Sequence, residues 1–534
     1  MRRSIILRFI LIMLLGAGLA TMLSTATIAP ASSALVRPLT VVSGPSPFAV
    51  PGCNGETALS EGNPPQGTAF PLGAPQTGTN YPNAEVEPWV AVNPSNLRNI
   101  IGVWQQDRWS NGGANGLATG VSHDGGRTWR ETSPHFTRCS GGNADNGGDY
   151  ERASDPWVTF SPDGTANQIS LSFNDSNTIT SILTSRSTDG GDTWSEPFTL
   201  IRDTDPNFSN DKESITADPY DSGYVYAVWD RLDFGTNHGP AVFARTTDGG
   251  QSWEPTRSIY DPGLNNHTIG NQIVVLPNGD LVNLFSLFTN QDIENESTTA
   301  GPAYVAIVRS TDKGQTWSQQ PIIISTLQSV GVTDPETGEP LRTGDIIPDI
   351  AVDQRTGYLY VVWQDARFSG GKRDGIVFSK STDGGFTWST PVQVNRLPQV
   401  PAFTGSVDVA INGAIGLTYY DFRNNTSDPN TLPTNYLFAI SYDGGKTWRE
   451  SEVGDQFDMR TAPVARGFFT GDYEGLTHIW SDFIPFFVRT NSNTENRTDV
   501  FYTQEYNGEV VYTANSTVNS SGSSNGAPTA VGAD

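Results

Sequence analysis

The sequence predicts an all-β fold, a single β-propeller of four-stranded blades, with seven blades and six as the alternative. Three observations carry the prediction. An eight-residue box, [ST]-x-D-x-G-x-[ST]-W, occurs six times, at Ser122–Trp129, Ser187–Trp194, Thr246–Trp253, Ser310–Trp317, Ser381–Trp388 and Ser441–Trp448. Its tryptophans lie 65, 59, 64, 71 and 60 residues apart, a period that suits one small antiparallel sheet per repeat. The 534-residue chain carries 55 Gly and 35 Pro but only 17% charged residues, the composition of a turn-rich globular protein with ample aromatic core material.

From the N-terminus, Arg2 and Arg3 precede an apolar run that ends in small residues at Ser32-x-Ala34. This predicts a secretory signal peptide over 1–34, cut after Ala34. The alternative is an uncleaved membrane anchor, for which the apolar stretch is short. The expected destination is therefore secreted or cell-surface, with no stable membrane insertion after cleavage. The formal charge is −25, and loss of the leader removes three arginines and no acid. So acidic a surface repels nucleic acid and anionic lipid and favours a soluble monomer with neutral partners. Cys53 and Cys139 are the only cysteines; in an exported chain they predict one disulfide, with two buried thiols as the alternative. Residues 35–82 are rich in Pro, Gly, Thr and Ser and read as an irregular extension, residues 83–507 as the propeller, and residues 508–534 as a low-complexity tail.

Within 83–507 each unit follows one grammar. A polar start leads a short first strand (EPWVAVNP, SDPWVTFSP, ESITADP, DIAVDQ, SVDVAING). A turn and a strongly β-prone second strand follow (NIIGVWQQDRW, YVYAVWDRLDF, YLYVVWQDARF, IGLTYYDFRN). A third strand then enters the box, which predicts a hairpin turn between third and fourth strands. There the Asp accepts turn amides, the Gly supplies positive φ, and the Trp pins the hairpin to the body. Six copies around a ring are architecture rather than catalysis. A seventh unit, GDYEGLTHIWSDF then TDVFYTQEY, has no box, and the N-terminal extension is expected to supply its fourth strand and close the ring.

Repeated at blade spacing, the box resembles that of the Asp-box (bacterial neuraminidase repeat) proteins, whose best-known members are sialidases. The resemblance covers about residues 84–507 and implies an Asp-box propeller, whereas the chemistry carried by that fold varies. As sialidases are known, the resemblance implies three arginines on the substrate carboxylate, a Tyr–Glu couple as nucleophile and an Asp as acid–base group. The Phe/Tyr-Arg-Ile-Pro motif usual before the first box is missing; the first unit begins EVEPWVAV.

First strands begin, and second strands end, on the face opposite the boxes. By placement, Tyr473 resembles the nucleophile, Glu213 its partner and Asp155 the acid–base group. Arg108, Arg231, Arg367 and Arg423 are candidate substrate-binding groups. The competing reading of each Asp–Arg pair is a salt bridge that caps a strand end within its own blade. Asn143–Glu151 is dense in oxygen ligands and glycine, a candidate structural calcium loop or a solvated one. The five histidines show no zinc spacing, and no cofactor is required. The resulting expectation is a sialidase-like glycoside hydrolase acting on glycans. The alternatives are a non-catalytic propeller that binds glycan or protein, and a hydrolase of neutral polysaccharide working through two carboxylates.

Overall fold

A computed structural model of the chain describes residues 39–48, 53, 76–291, 293, 301–505 and 510–514. The leader expected over 1–34, most of the extension and nearly all of the tail lie outside the described residues. Among the described residues the fold is all-β, and no helix is long and apolar enough to cross a membrane.

Among the described residues the strands form seven successive antiparallel meanders. Their first strands are Glu85–Val92, Arg152–Phe160, Phe208–Ala217, Asn266–Val275, Asp349–Val352, Ala402–Val409 and Gly475–Ile479. Each pairs with the second strand that follows it, and the second with a third. In the seventh meander the outer strand is Thr40–Val41, paired with Phe501 and Tyr502. First strands contact one another in chain order, and the seventh contacts the first. The sixth first strand begins at Ala402, four residues before the SVDVAING stretch, so Asp408 sits towards its far end.

The six boxes fill the turns between third and fourth strands of the first six meanders, and one network recurs in all of them. In the second, Ser187 Oγ donates to Asp189 Oδ1 (2.8 Å) and accepts from Gly191 N (2.9 Å), while Asp189 Oδ1 accepts from Thr193 N (2.9 Å). The equivalent aspartates Asp124, Asp248, Asp312, Asp383 and Asp443 accept from both the amide and the side-chain hydroxyl of the residue four positions on. Donation from the Thr128 hydroxyl and amide lowers the Asp124 carboxyl to about 2. The second glycine of the first box, Gly126, has φ 83°. A Cβ there would stand 2.2 Å from the Tyr502 ring, so the position tolerates neither the conformation nor the bulk of another residue.

Between neighbouring meanders lies an apolar layer. Tyr226, Phe243, Phe285 and Trp317 join the third to the fourth. Val90 and Trp104 join the first to Phe486 and Val500 of the seventh. Full burial of each such side chain contributes about 1.5–3 kcal/mol, so the side-by-side packing, rather than any one hairpin, holds the ring of contacts together. Cys53 and Cys139 are joined in a disulfide across 86 residues, tying the extension to the first meander.

Because the box network is local and repeated, removing one copy should weaken one hairpin without unfolding the rest. Asp189→Ala is expected to lower stability by about 1–2 kcal/mol, the cost of leaving turn donors without an acceptor. Thermal unfolding of the variant beside the parent checks this; a loss well above that range would mean that the boxes act as one network.

Candidate functional site at the capped mouth of the ring

The face opposite the boxes is shaped by a bulge repeated in five first strands. Pairing with the second strand slips between Val86 and Trp89, Ser154 and Trp157, Asp211 and Ser214, Ile269 and Gln272, and Phe403 and Ser406. The first residue of each bulge is left-handed: Glu87 (φ 55°), Asp155 (52°), Lys212 (47°), Gly270 (73°) and Thr404 (50°). A lysine and a β-branched threonine in this region are backbone outliers, each costing of order 1–3 kcal/mol. Such bulges re-aim side chains, and here they direct chemistry towards the centre of the ring.

All seven meanders or the segments leading into them line one pocket there, including Trp89, Trp157, Lys212, Glu213, Asp349 and Tyr473. Trp89 and Trp157 stack with centroids 3.4 Å apart and form its floor. Lys212 Nζ lies 3.1 Å from Asp155 Oδ1 and 3.4 Å from the Tyr473 ring centroid. Burial alone would lower the Lys212 ammonium, but Asp155 and Glu87 more than reverse that and hold it charged. Glu213 is 1% exposed, and neither of its carboxylate oxygens has a hydrogen-bond partner. Burial, with the Asp155 charge added to it, raises the Glu213 carboxyl well above its ordinary value.

The mouth is capped. Segments between the fourth and fifth meanders and between the sixth and seventh supply three short strands, Val332–Thr333, Pro340–Arg342 and Phe468–Phe469. Arg342 pairs with Asp472 through both carboxylate oxygens, and Arg460 reaches Asp334 and, at 2.7 Å, Glu339. The guanidinium groups of Arg108 and Arg342 lie 4.8 and 4.6 Å from the centroid of the Phe469 ring. Thr470 O accepts from Glu87 N, fastening the cap to the first bulge. Beneath it the pocket encloses about 20 Å³, room for a water and too little for a sugar.

The structure therefore brings together Asp155, Glu213 and Tyr473, but not in the expected couple. Tyr473 Oη donates to Pro156 O (3.2 Å) rather than to Glu213. Burial and the nearby charges of Glu87, Asp155, Glu213 and Asp472 raise its phenol well above the ordinary value. Arg108, fully buried, reaches the cluster indirectly: its Nη1 donates to Gln105 Oε1 (2.6 Å), and Gln105 donates to Glu87 and Ser154.

The remaining arginines are directed elsewhere. Arg231 forks onto Asp203, Arg367 onto Asp365, and Arg423 onto Asp421 and Glu450. Asp203 and Glu450 lie in outer strands, Asp203 in that of the neighbouring meander, so three of the four expected arginines sit in strand-end ion pairs, and Arg367 and Arg423 alone of these pair with the aspartate of their own strand end. In the loop Asn143–Glu151, Asp149 pairs with Arg138, and Glu151 accepts from Ser176 N. No group of three or more candidate metal ligands occurs among the described residues. Lys212, Arg342 and the cap were not foreseen. Lys212 was legible only by aligning DKES with VEPW and SDPW, while nothing local marks Arg342.

The Glu213 shift has a stability consequence. A carboxyl raised in the folded state contributes most below its unfolded value, near 4.5, and that contribution is lost as pH rises through the folded value. Glu213→Gln, which fixes the uncharged form, is expected to raise Tm, and to raise it more at pH 8 than at pH 5. A pH-independent difference in melting would contradict a buried, displaced carboxyl.

Comparison with known proteins gives distant likenesses only. No family model matches the chain. A sialidase of Bacteroides fragilis is 25% identical over 195 residues, 33% of this chain and 33% of that protein, so the chain spans about a third of that curated relative. Among solved structures, the Hadza microbial sialidase Hz136 aligns over 78% of this chain and 75% of its own, with 16% identity and a TM-score of 0.42. An α-L-arabinanase of Penicillium chrysogenum, complexed with arabinobiose, aligns over 78% and 93%, with 12% identity and a TM-score of 0.41.

Proposed function

We propose that the chain is an exported seven-bladed propeller that hydrolyses glycosidic bonds in neutral glycans at the capped mouth. Glu213 is the general acid and Asp155 the carboxylate that attacks the sugar or activates water. The observation that carries this reading is the separation of two neighbouring carboxyl environments. Glu213 is buried without a hydrogen-bond partner and favours its protonated form, while Asp155 faces the Lys212 ammonium at 3.1 Å. Environments that push two carboxyl groups apart assign the acid and the base, and glycoside hydrolysis runs on such a pair. Glu213 would protonate the leaving oxygen; Asp155, ion-paired with Lys212, would act on the anomeric carbon directly or through water.

The cyclic contacts of the first strands and the closing strand Thr40–Val41 support seven blades. The leader-like N-terminus and the disulfide support export. A neutral substrate is favoured over a sialoside because Arg231, Arg367 and Arg423 are saturated by protein carboxylates and Tyr473 is bonded to a backbone carbonyl. A sugar enters only once the cap moves, because the closed pocket is water-sized.

The purified chain is to be assayed on a panel of aryl glycosides, with neutral arabinofuranosides, galactosides and glucosides beside a sialoside. Turnover of a neutral member is expected to fall by about 10³-fold or more in Glu213→Gln and in Asp155→Asn, the scale of lost acid–base and covalent chemistry, and to survive in Tyr473→Phe. Turnover of the sialoside alone, abolished by Tyr473→Phe, would reverse the substrate and restore the tyrosine as nucleophile.

A further inference from the structure

One serine ties together the roots of the cap. The segment that carries Val332–Thr333 and Pro340–Arg342 leaves the fourth meander after Leu327 and re-enters the ring at Asp349. Ser329 stands at its outgoing root and Asp345 at its returning one. Asp374, just before the third strand of the fifth meander, meets both. Ser329 Oγ lies 2.5 Å from Asp345 Oδ2 and 2.7 Å from Asp374 Oδ2, and all three side chains are buried.

This geometry carries a proton count. A hydroxyl has one proton to donate, so it serves one of the two carboxyl oxygens, and the other short contact needs a proton on the carboxyl itself. Both contacts meet on one oxygen, which leaves the carboxyl oxygens no more than about 5 Å apart, where two ionised carboxylates repel. The nearest further charges are also acidic, Asp472 for Asp345 and Asp365 for Asp374, and each is engaged by an arginine, Arg342 and Arg367. Arg373, next to Asp374, turns away to Pro398 O (3.1 Å). The clasp is coupled to the mouth through Gly344, beside Asp345. A Cβ there would stand 1.9 Å from Asp472 O, so the returning root rests on the backbone that holds Asp472 and Tyr473.

We infer that Asp345, Ser329 and Asp374 form a proton-controlled latch on the cap: with one shared proton the clasp holds the mouth shut, and without it two facing carboxylates release the root of the cap. Burial raises both carboxyls, to about 6 at Asp345 and about 8 at Asp374, where the Asp345 charge adds to burial. Groups raised in the folded state stabilise it fully below their unfolded value, near 3.8, and that contribution is lost as pH rises through the folded values. The latch therefore opens on the alkaline side, between about pH 6 and 8. The inference needs the cap over the mouth and not the chemistry proposed beneath it.

Hydrogen exchange of the full chain tests it between pH 5 and 9. It is read by mass spectrometry on peptides covering 329–345 and 463–472 and corrected for the intrinsic pH dependence of exchange. Protection of both cap segments is expected to fall tenfold or more across that range, while the box peptides keep theirs. The amide of Asp345→Asn donates to Ser329 as the protonated acid does, without titrating, so cap protection in that variant should change by less than threefold. In Ser329→Ala it should be low throughout. Cap protection that is constant with pH in the parent overturns the latch whatever the variants do. A pH response of parental size in Asp345→Asn, folded by circular dichroism, also overturns it and moves control to the carboxyls of the mouth. Protection in Ser329→Ala equal to that of the parent at every pH would remove the serine and with it the clasp.

Discussion

The bulge near the start of the first strands is the constraint on which the rest of the molecule depends. A flat first strand would present alternate side chains to the two neighbouring meanders and nothing chemical to the axis. One extra residue in left-handed conformation turns Glu87, Asp155 and Lys212 towards the centre, and places Glu213 immediately after Lys212. The cost is several strained residues, of order 1–3 kcal/mol each. The surrounding apolar layers are large enough to hold that strain because every meander is packed on both sides.

A second consequence is electrostatic. Bringing Glu87, Asp155, Glu213 and Asp472 together would be prohibitive if all four were ionised in a dry space. The molecule offsets this with two cations, Lys212 on Asp155 and Arg342 on Asp472, and burial of Glu213 favours its protonated form. The cap is part of the same balance, because it delivers Arg342 to Asp472. Any opening motion exposes Asp472 and the bulge carboxylates to solvent, so access and charge state at the mouth are coupled.

The parts most legible in the sequence were those fixed by local chemistry. Each box specifies its own turn through a Ser or Thr, an Asp and a Gly within five residues, and the β-branched and aromatic second strands announce themselves by composition. The clustering of Asp155, Glu213 and Tyr473 followed from their shared position at strand starts. The arginines divided two ways because an Asp-x-Arg at a strand end reads alike as a ligand clamp and as a cap. Arg367 and Arg423 fold back on Asp365 and Asp421 two residues before them, which spacing alone does not decide. The cap was illegible for a different reason. Residues 332–342 and 468–469 meet only in three dimensions, and neither stretch carries a periodic or turn signature that names its partner.

The central claim, that burial favours the protonated form of Glu213 beside an ion-paired Asp155, is open to direct measurement. The side-chain carboxyl carbon of Glu213, assigned by its loss in Glu213→Gln, can be followed by ¹³C NMR as pH is raised. The account predicts a resonance that stays in the protonated position through neutral pH. A resonance that titrates at the ordinary glutamate value, near 4.5, would contradict it and remove the acid from the proposed pair.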